Sequence, residues 1–117
     1  MTAYAIAHLR PTAQPTEEVL DYIERIQATM DPYEGRFLVH GAQLEVLEGP
    51  WPGTLVIIGF PTVEQARAWY ASPAYQEILP LRTRNIAGDV VIVDGVGPGY
   101  DASATAAAMR AAATATR

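Results

Sequence analysis

FPTVEQARAWYASPAYQEILPLRTR, residues 60–84, is the stretch whose reading decides the fold. It holds the densest run of aromatic and arginine residues in the chain and reads as two short helices divided at Ser72-Pro73. Thr62 suits a helix N-cap, and Gln65 three positions later completes a capping box, so that orphan donors at the helix start find partners. Ala66, Trp69 and Tyr70 then recur at helical spacing and predict one buried face. The ring of Pro73 crowds Ser72 out of the helical region, which ends the first helix. Pro73 in turn fits the first position of a second helix capped by Ser72. Tyr75, Ile78, Leu79 and Arg82 follow at i, i+3, i+4 and i+7, and Pro80 inside that run predicts a kink or an early stop. The whole stretch is expected to clamp one face of a small sheet and to wall a ligand pocket.

Outward from the clamp, strands flank it on both sides. Residues 54–60 (TLVIIGF) are almost continuously apolar, the pattern of a central strand covered on both faces. Residues 89–94 (DVVIVD) form the last strand, stopped by Gly95. Upstream, residues 36–48 (RFLVHGAQLEVLE) read as a long strand with a bulge or bend at Gly41. The GPWPG loop at 49–53 leads back, with Trp51 at its tip. Residues 2–9 (TAYAIAHL) alternate, with Tyr4, Ile6 and His8 on one face and Ala5, Ala7 and Leu9 on the other, where a helix packs closely. Residues 15–30 are a helix with Val19, Ile23, Ile26 and Met30 as its apolar stripe. The order is βαββαβ, which predicts an α+β ferredoxin-like sandwich: a four-stranded antiparallel sheet with two helices on one face. Residues 1–96 are expected to make this domain. Residues 97–117 form an Ala-rich tail with little to bury, either a frayed helix or disordered.

The other sheet face, with Tyr4, Ile6 and Leu38, is too apolar to stay wet, and a homodimer is the expected solution.

Composition removes whole classes of chemistry. The 117 residues suffice for one domain, and a net charge of −5 argues against nucleic acid as a partner. No apolar run reaches the roughly 18 residues of a membrane span, and no signal-peptide pattern opens the chain, so a cytoplasmic protein is expected. The chain has no cysteine, and all eight basic residues are arginine. Thiolate catalysis and a lysine Schiff base are therefore excluded. The bias towards arginine and alanine points to a GC-rich bacterial genome. The two serines are Ser72, explained as a helix cap, and Ser103 in the tail. The chain contains no GxSxG, P-loop, GxGxxG or HExxH. No metal and no cofactor is expected.

Two histidines remain. His8 and His40 are placed by strict alternation on the same sheet face as Ile6 and Leu38, about 10 Å apart across one intervening strand. At that spacing they could flank a small ligand as general acid and base, His40 first and His8 second. Alternatively, each is a half-buried histidine bonded to backbone. Arg36 and Arg82 are candidates to hold a substrate oxyanion in a forked pair of hydrogen bonds, or else form surface ion pairs; Arg67 is assigned to the surface. Trp51, Trp69 and Tyr75 complete the candidate substrate-binding set, with plain core packing as the alternative for Trp69 and a lid or dimer contact for Trp51.

GRFLVHG, LEGPW, GFPTVEQARAWYASPAYQ, PLR and VVIVDG, in that order, resemble the bacterial family named domain of unknown function 1330, over roughly residues 2–96. The resemblance implies membership of the dimeric α/β-barrel superfamily, in which two ferredoxin-like sheets pair. Superfamily relatives include cofactor-free monooxygenases, isomerases, aromatic cyclases and dehydratases, and haem-binding enzymes. Resemblance and elimination together imply a small cofactor-independent enzyme of specialised metabolism. It would act on a small organic, aromatic or polyketide-like, substrate by acid–base proton transfer: isomerisation, cyclisation or dehydration. The competing expectations are a non-catalytic dimeric module that binds a metabolite, and a cofactor-free monooxygenase.

Overall fold

A computed structural model describes residues 2–115; residue 1 and the last two residues of the tail lie outside the described residues. Its elements are β1 (Ala3–Arg10), α1 (Glu17–Met30), a single 3-10 turn (Asp31–Tyr33), β2 (Arg36–His40), β3 (Thr54–Phe60), α2 (Val63–Ala71), α3 (Pro73–Thr83), β4 (Ala87–Asp94) and α4 (Ala102–Ala115). The strands form one sheet in the order β2-β3-β1-β4, with every neighbouring pair antiparallel. This is the α+β ferredoxin-like arrangement. β3 and β1 lie at its centre, as the apolar run of β3 requires.

The clamp forms for the reasons its sequence suggests. Thr62 caps α2 by accepting from the Gln65 amide at 3.2 Å, and its hydroxyl donates to Gln65 Oε1 at 3.0 Å. Ser72 ends α2 in an extended conformation and caps α3, accepting from the Tyr75 amide at 3.2 Å, with Pro73 as the first helical residue. Pro80 does not shorten α3: the helix continues to Thr83. Pro80 and Gln76 are both exposed, so the carbonyl that loses its helical donor can bond to water. Ala66, Trp69, Tyr75 and Ile78 meet Ala5, Ile58 and Phe60 of the sheet and Tyr22, Ile26 and Met30 of α1 in one core.

Three expectations require correction. The stripe of α1 runs through Val19, Tyr22, Ile26, Thr29 and Met30, while Ile23 is 43% exposed. The predicted strand over 36–48 stops at His40. Gly41 takes a φ of +73°, which turns the chain off the sheet. β3, the neighbour of β2, begins at Thr54, only two residues before the partner of His40, so the residues further along have no strand to pair with despite their alternation. The bulge falls not at Gly41 but between Phe37 and Val39, leaving Leu38 as the extra residue. Leu38 Cδ1 lies only 3.0 Å from where a Cβ of Gly59 would stand, so the missing side chain at Gly59 makes room for it.

Gly53 closes the loop into β3 with a φ of +102°, and a Cβ there would stand 2.0 Å from the Leu9 carbonyl oxygen. Gly53→Ala is therefore expected to lose about 2–3 kcal/mol, from combined backbone strain and backbone collision. Urea unfolding of the variant checks this; an unchanged midpoint would show that the loop shifts freely. The tail residues Ala102–Ala115 form a helix with no buried residue. No helix among the described residues is long and apolar enough to cross a membrane.

Candidate functional site

Alternation along the paired strands divides the sheet into two faces. Ala3, Ala5, Ala7 and Leu9 of β1 oppose Phe60, Ile58, Val56 and Thr54 of β3 on the helix-covered face. Tyr4, Ile6 and His8 oppose Gly59, Ile57 and Leu55 on the open face. His8 keeps to that open face. Its Nε2 donates to the Pro52 carbonyl, its ring lies 4.9 Å from the Trp51 ring, and Arg10 Nη1 is 3.5 Å from its Nδ1. Arg36, paired with Gly59, is on the same face and exposed.

His40 departs from the expected pattern. The bulge at Leu38 resets the alternation, so that Phe37 opposes Ile58 and His40 opposes Val56, both on the helix-covered face. The two rings stack at 4.2 Å with 6° between their planes. The two histidines therefore sit on opposite faces of the sheet and do not flank one ligand.

The helix-covered face holds a cavity of about 470 Å³ between the sheet and helices α1 and α3. The exposed connection 11–16 forms its rim, and His40 and Gly41 contribute to its wall. Most of the lining is apolar, from Ala5, Ala7, Val19, Ile26, Val56 and Ile58. The polar lining includes His40, Tyr22, Tyr75, Arg82 and Asn85. A volume of this size and a mainly apolar wall with a few converging polar groups are the usual features of a small-molecule site.

Arg82 is 5% exposed and so is not the surface arginine that an ion pair would require. It approaches α1, with its guanidinium carbon 5.8 Å from the centre of the Tyr22 ring. The Tyr22 and Tyr75 hydroxyls bond to each other at 2.8 Å beside the guanidinium. Burial pushes the Tyr75 hydroxyl up beyond the ordinary tyrosine range, with the Tyr22 hydroxyl adding to it. For Arg82, burial works against the charge, but the two phenol oxygens outweigh it and hold the group above its usual value. Trp69 also lines the cavity, and its Nε1 donates to Thr29 Oγ1 at 3.0 Å.

Of the candidate residues, the structure brings His40, Arg82, Trp69 and Tyr75 to one cavity and leaves His8, Arg36 and Trp51 outside it. Tyr22 and Asn85 were not anticipated. Tyr22 was legible: Val19, Tyr22 and Ile26 share helical spacing as well as Val19, Ile23 and Ile26 do. Asn85 had no such signal, because its place follows from Glu18 and the Leu81 carbonyl, which both accept from its amide.

Comparison with known proteins agrees with this architecture. Residues 2–96 match the family model described as domain of unknown function (DUF1330). No curated protein matches the chain. Among solved structures, a protein of unknown function from Rhodopseudomonas palustris is similar with a TM-score of 0.63 and 18% identity, covering 83% of this chain and 84% of that one. SnoaB, a cofactor-independent oxygenase from Streptomyces nogalater, has a TM-score of 0.58 and 12% identity, covering 86% and 98%. A dimeric ferredoxin-like protein of unknown function from Jannaschia has a TM-score of 0.56 and 14% identity, covering 81% and 100%. At these identities the likeness is one of fold.

Proposed function

The chain belongs to the DUF1330 family, and from that premise we propose that it is a small cofactor-independent enzyme acting on a small organic molecule by acid–base proton transfer. The observation that carries this is the apolar cavity with an imidazole in its wall and a buried guanidinium–phenol cluster. An imidazole titrates near neutral pH and can take or give a proton at carbon next to a carbonyl. Stacking on Phe37 fixes the plane of the His40 ring, which favours transfer along one direction. Isomerisation, cyclisation and dehydration of an enolisable substrate all need such a step. His8 has a different place in this scheme: with Arg36 and Trp51 it belongs to the face that a second copy would cover.

We propose a homodimer closed through that open face. Tyr4, Ile6, Leu38, Ile57, Val91 and Val93 make it apolar, and Leu38, Val91 and Val93 are 48%, 54% and 45% exposed in the single chain. The Jannaschia neighbour is described as dimeric, which supports a two-copy assembly.

Deuterium exchange into enolisable aryl ketones, followed by NMR in heavy water, tests the chemistry. His40→Ala is expected to slow enzyme-dependent exchange by roughly 10²–10⁴-fold. An unchanged rate removes His40 from the mechanism, and a wild type with no enzyme-dependent exchange leaves a non-catalytic metabolite-binding module. Oxygen uptake with an electron-rich phenolic substrate, independent of His40, would instead favour the oxygenase chemistry named for the Streptomyces neighbour.

A further inference from the structure

We propose that the molecule taken by this cavity carries a carboxylate, seated against Arg82 and the Tyr22–Tyr75 phenol pair, with an apolar body lying along the sheet. This deepens the small-molecule reading above and rests on it.

A guanidinium removed from water is strongly disfavoured unless an opposite charge or a full set of acceptors meets it. Among the described residues, ion pairs are made by Arg10, Arg25 and Arg84, all substantially exposed, and none involves Arg82. Glu18, which does not line the cavity, is held by Arg84 and Asn85, whose hydrogen bonds keep its carboxylate below the usual range. It is therefore already engaged. Tyr75 cannot neutralise the arginine, because its hydroxyl stays protonated at any physiological pH.

The hydrogen-bond count points the same way. Arg82 brings five N–H donors and no acceptor, and the polar side chains beside it are the Tyr22 and Tyr75 phenols. The phenols share one hydrogen bond, which uses one O–H and leaves the other hydroxyl proton available. The cluster thus offers donors in excess and carries an unbalanced positive charge. A carboxylate is acceptor-only and can take two parallel bonds from a guanidinium. A neutral amide or alcohol would bring further donors and no charge.

The test compares 3-phenylpropanoate with 3-phenylpropanamide, which share a body and differ in charge. Each is titrated into the intact protein by calorimetry and by NMR of Trp69 and Ile26. The carboxylate is expected to bind roughly 10- to 100-fold tighter, the range of a hydrogen bond to a charged group. Arg82→Gln should abolish that preference, and Tyr22→Phe should weaken it by a few-fold. If Arg82→Gln does not fold, the wild-type comparison and Tyr22→Phe still decide. Equal binding of both probes in the cavity would overturn the carboxylate and leave the small-molecule reading intact. Failure of both probes to perturb Trp69 or Ile26 would overturn the two together.

Discussion

Trp69→Ala is expected to lose about 3–5 kcal/mol of folding stability, the usual range for deleting a large buried aromatic side chain. The indole is 2% exposed and sits where both helical layers meet the sheet. Its ring lies 4.3 Å from Tyr75, 5.5 Å from Phe60 and 6.1 Å from Tyr70, so one deletion loosens three partners. Its Nε1 also holds Thr29 Oγ1, which in turn donates to the Ile26 carbonyl at 2.6 Å. The space left behind would adjoin the existing cavity rather than being filled by a neighbour. Natural domains have only ~5–15 kcal/mol in hand, so the variant should unfold at a much lower urea concentration. A loss below ~1 kcal/mol would show that the clamp is held elsewhere.

Ile57→Asp is expected to convert the proposed dimer into a monomer without unfolding it. Ile57 faces Ile6 in the middle of the open face, on one of the two central strands. In a single chain the new carboxylate meets water. In the proposed dimer it would be buried and unpaired, at a cost of several kcal/mol for each charge. That should raise the dissociation constant by ~1000-fold or more. Sedimentation of wild type and variant at micromolar concentration, with circular dichroism as the folding control, reads the result. A wild-type monomer, or a variant that stays dimeric, would contradict closure through this face.

How much could be read beforehand differed by element. The clamp was legible because its punctuation is chemical: Thr62 and Ser72 cap, Pro73 starts, and Trp69, Tyr75 and Ile78 keep step with a helical turn. β3 was legible because a run of apolar residues needs cover on both sides. The stretch after His40 misled, since alternation reports what could pair but not whether a partner strand exists. Pro80 misled as to helix length, because a proline is tolerated where the residue four positions earlier is exposed and its carbonyl can bond to water. The site was half legible. Arg82 and Tyr75 follow from helical spacing within one segment, whereas their joining to Tyr22 depends on the packing of two distant helices. The histidine pair failed for a different reason: period-two counting breaks wherever a strand carries an unpaired residue.

That extra residue, Leu38, makes the inward place of the imidazole depend on the bulge rather than on the histidine's own chemistry. Paired without a bulge, the same five residues would turn His40 outward, beside Arg36. Deleting Leu38 would leave Phe37 opposite Ile58 and His40 opposite Val56, now in plain alternation, with the ring still on the inner wall. The ring-current shifts that Phe37 and His40 impose on each other should therefore survive the deletion.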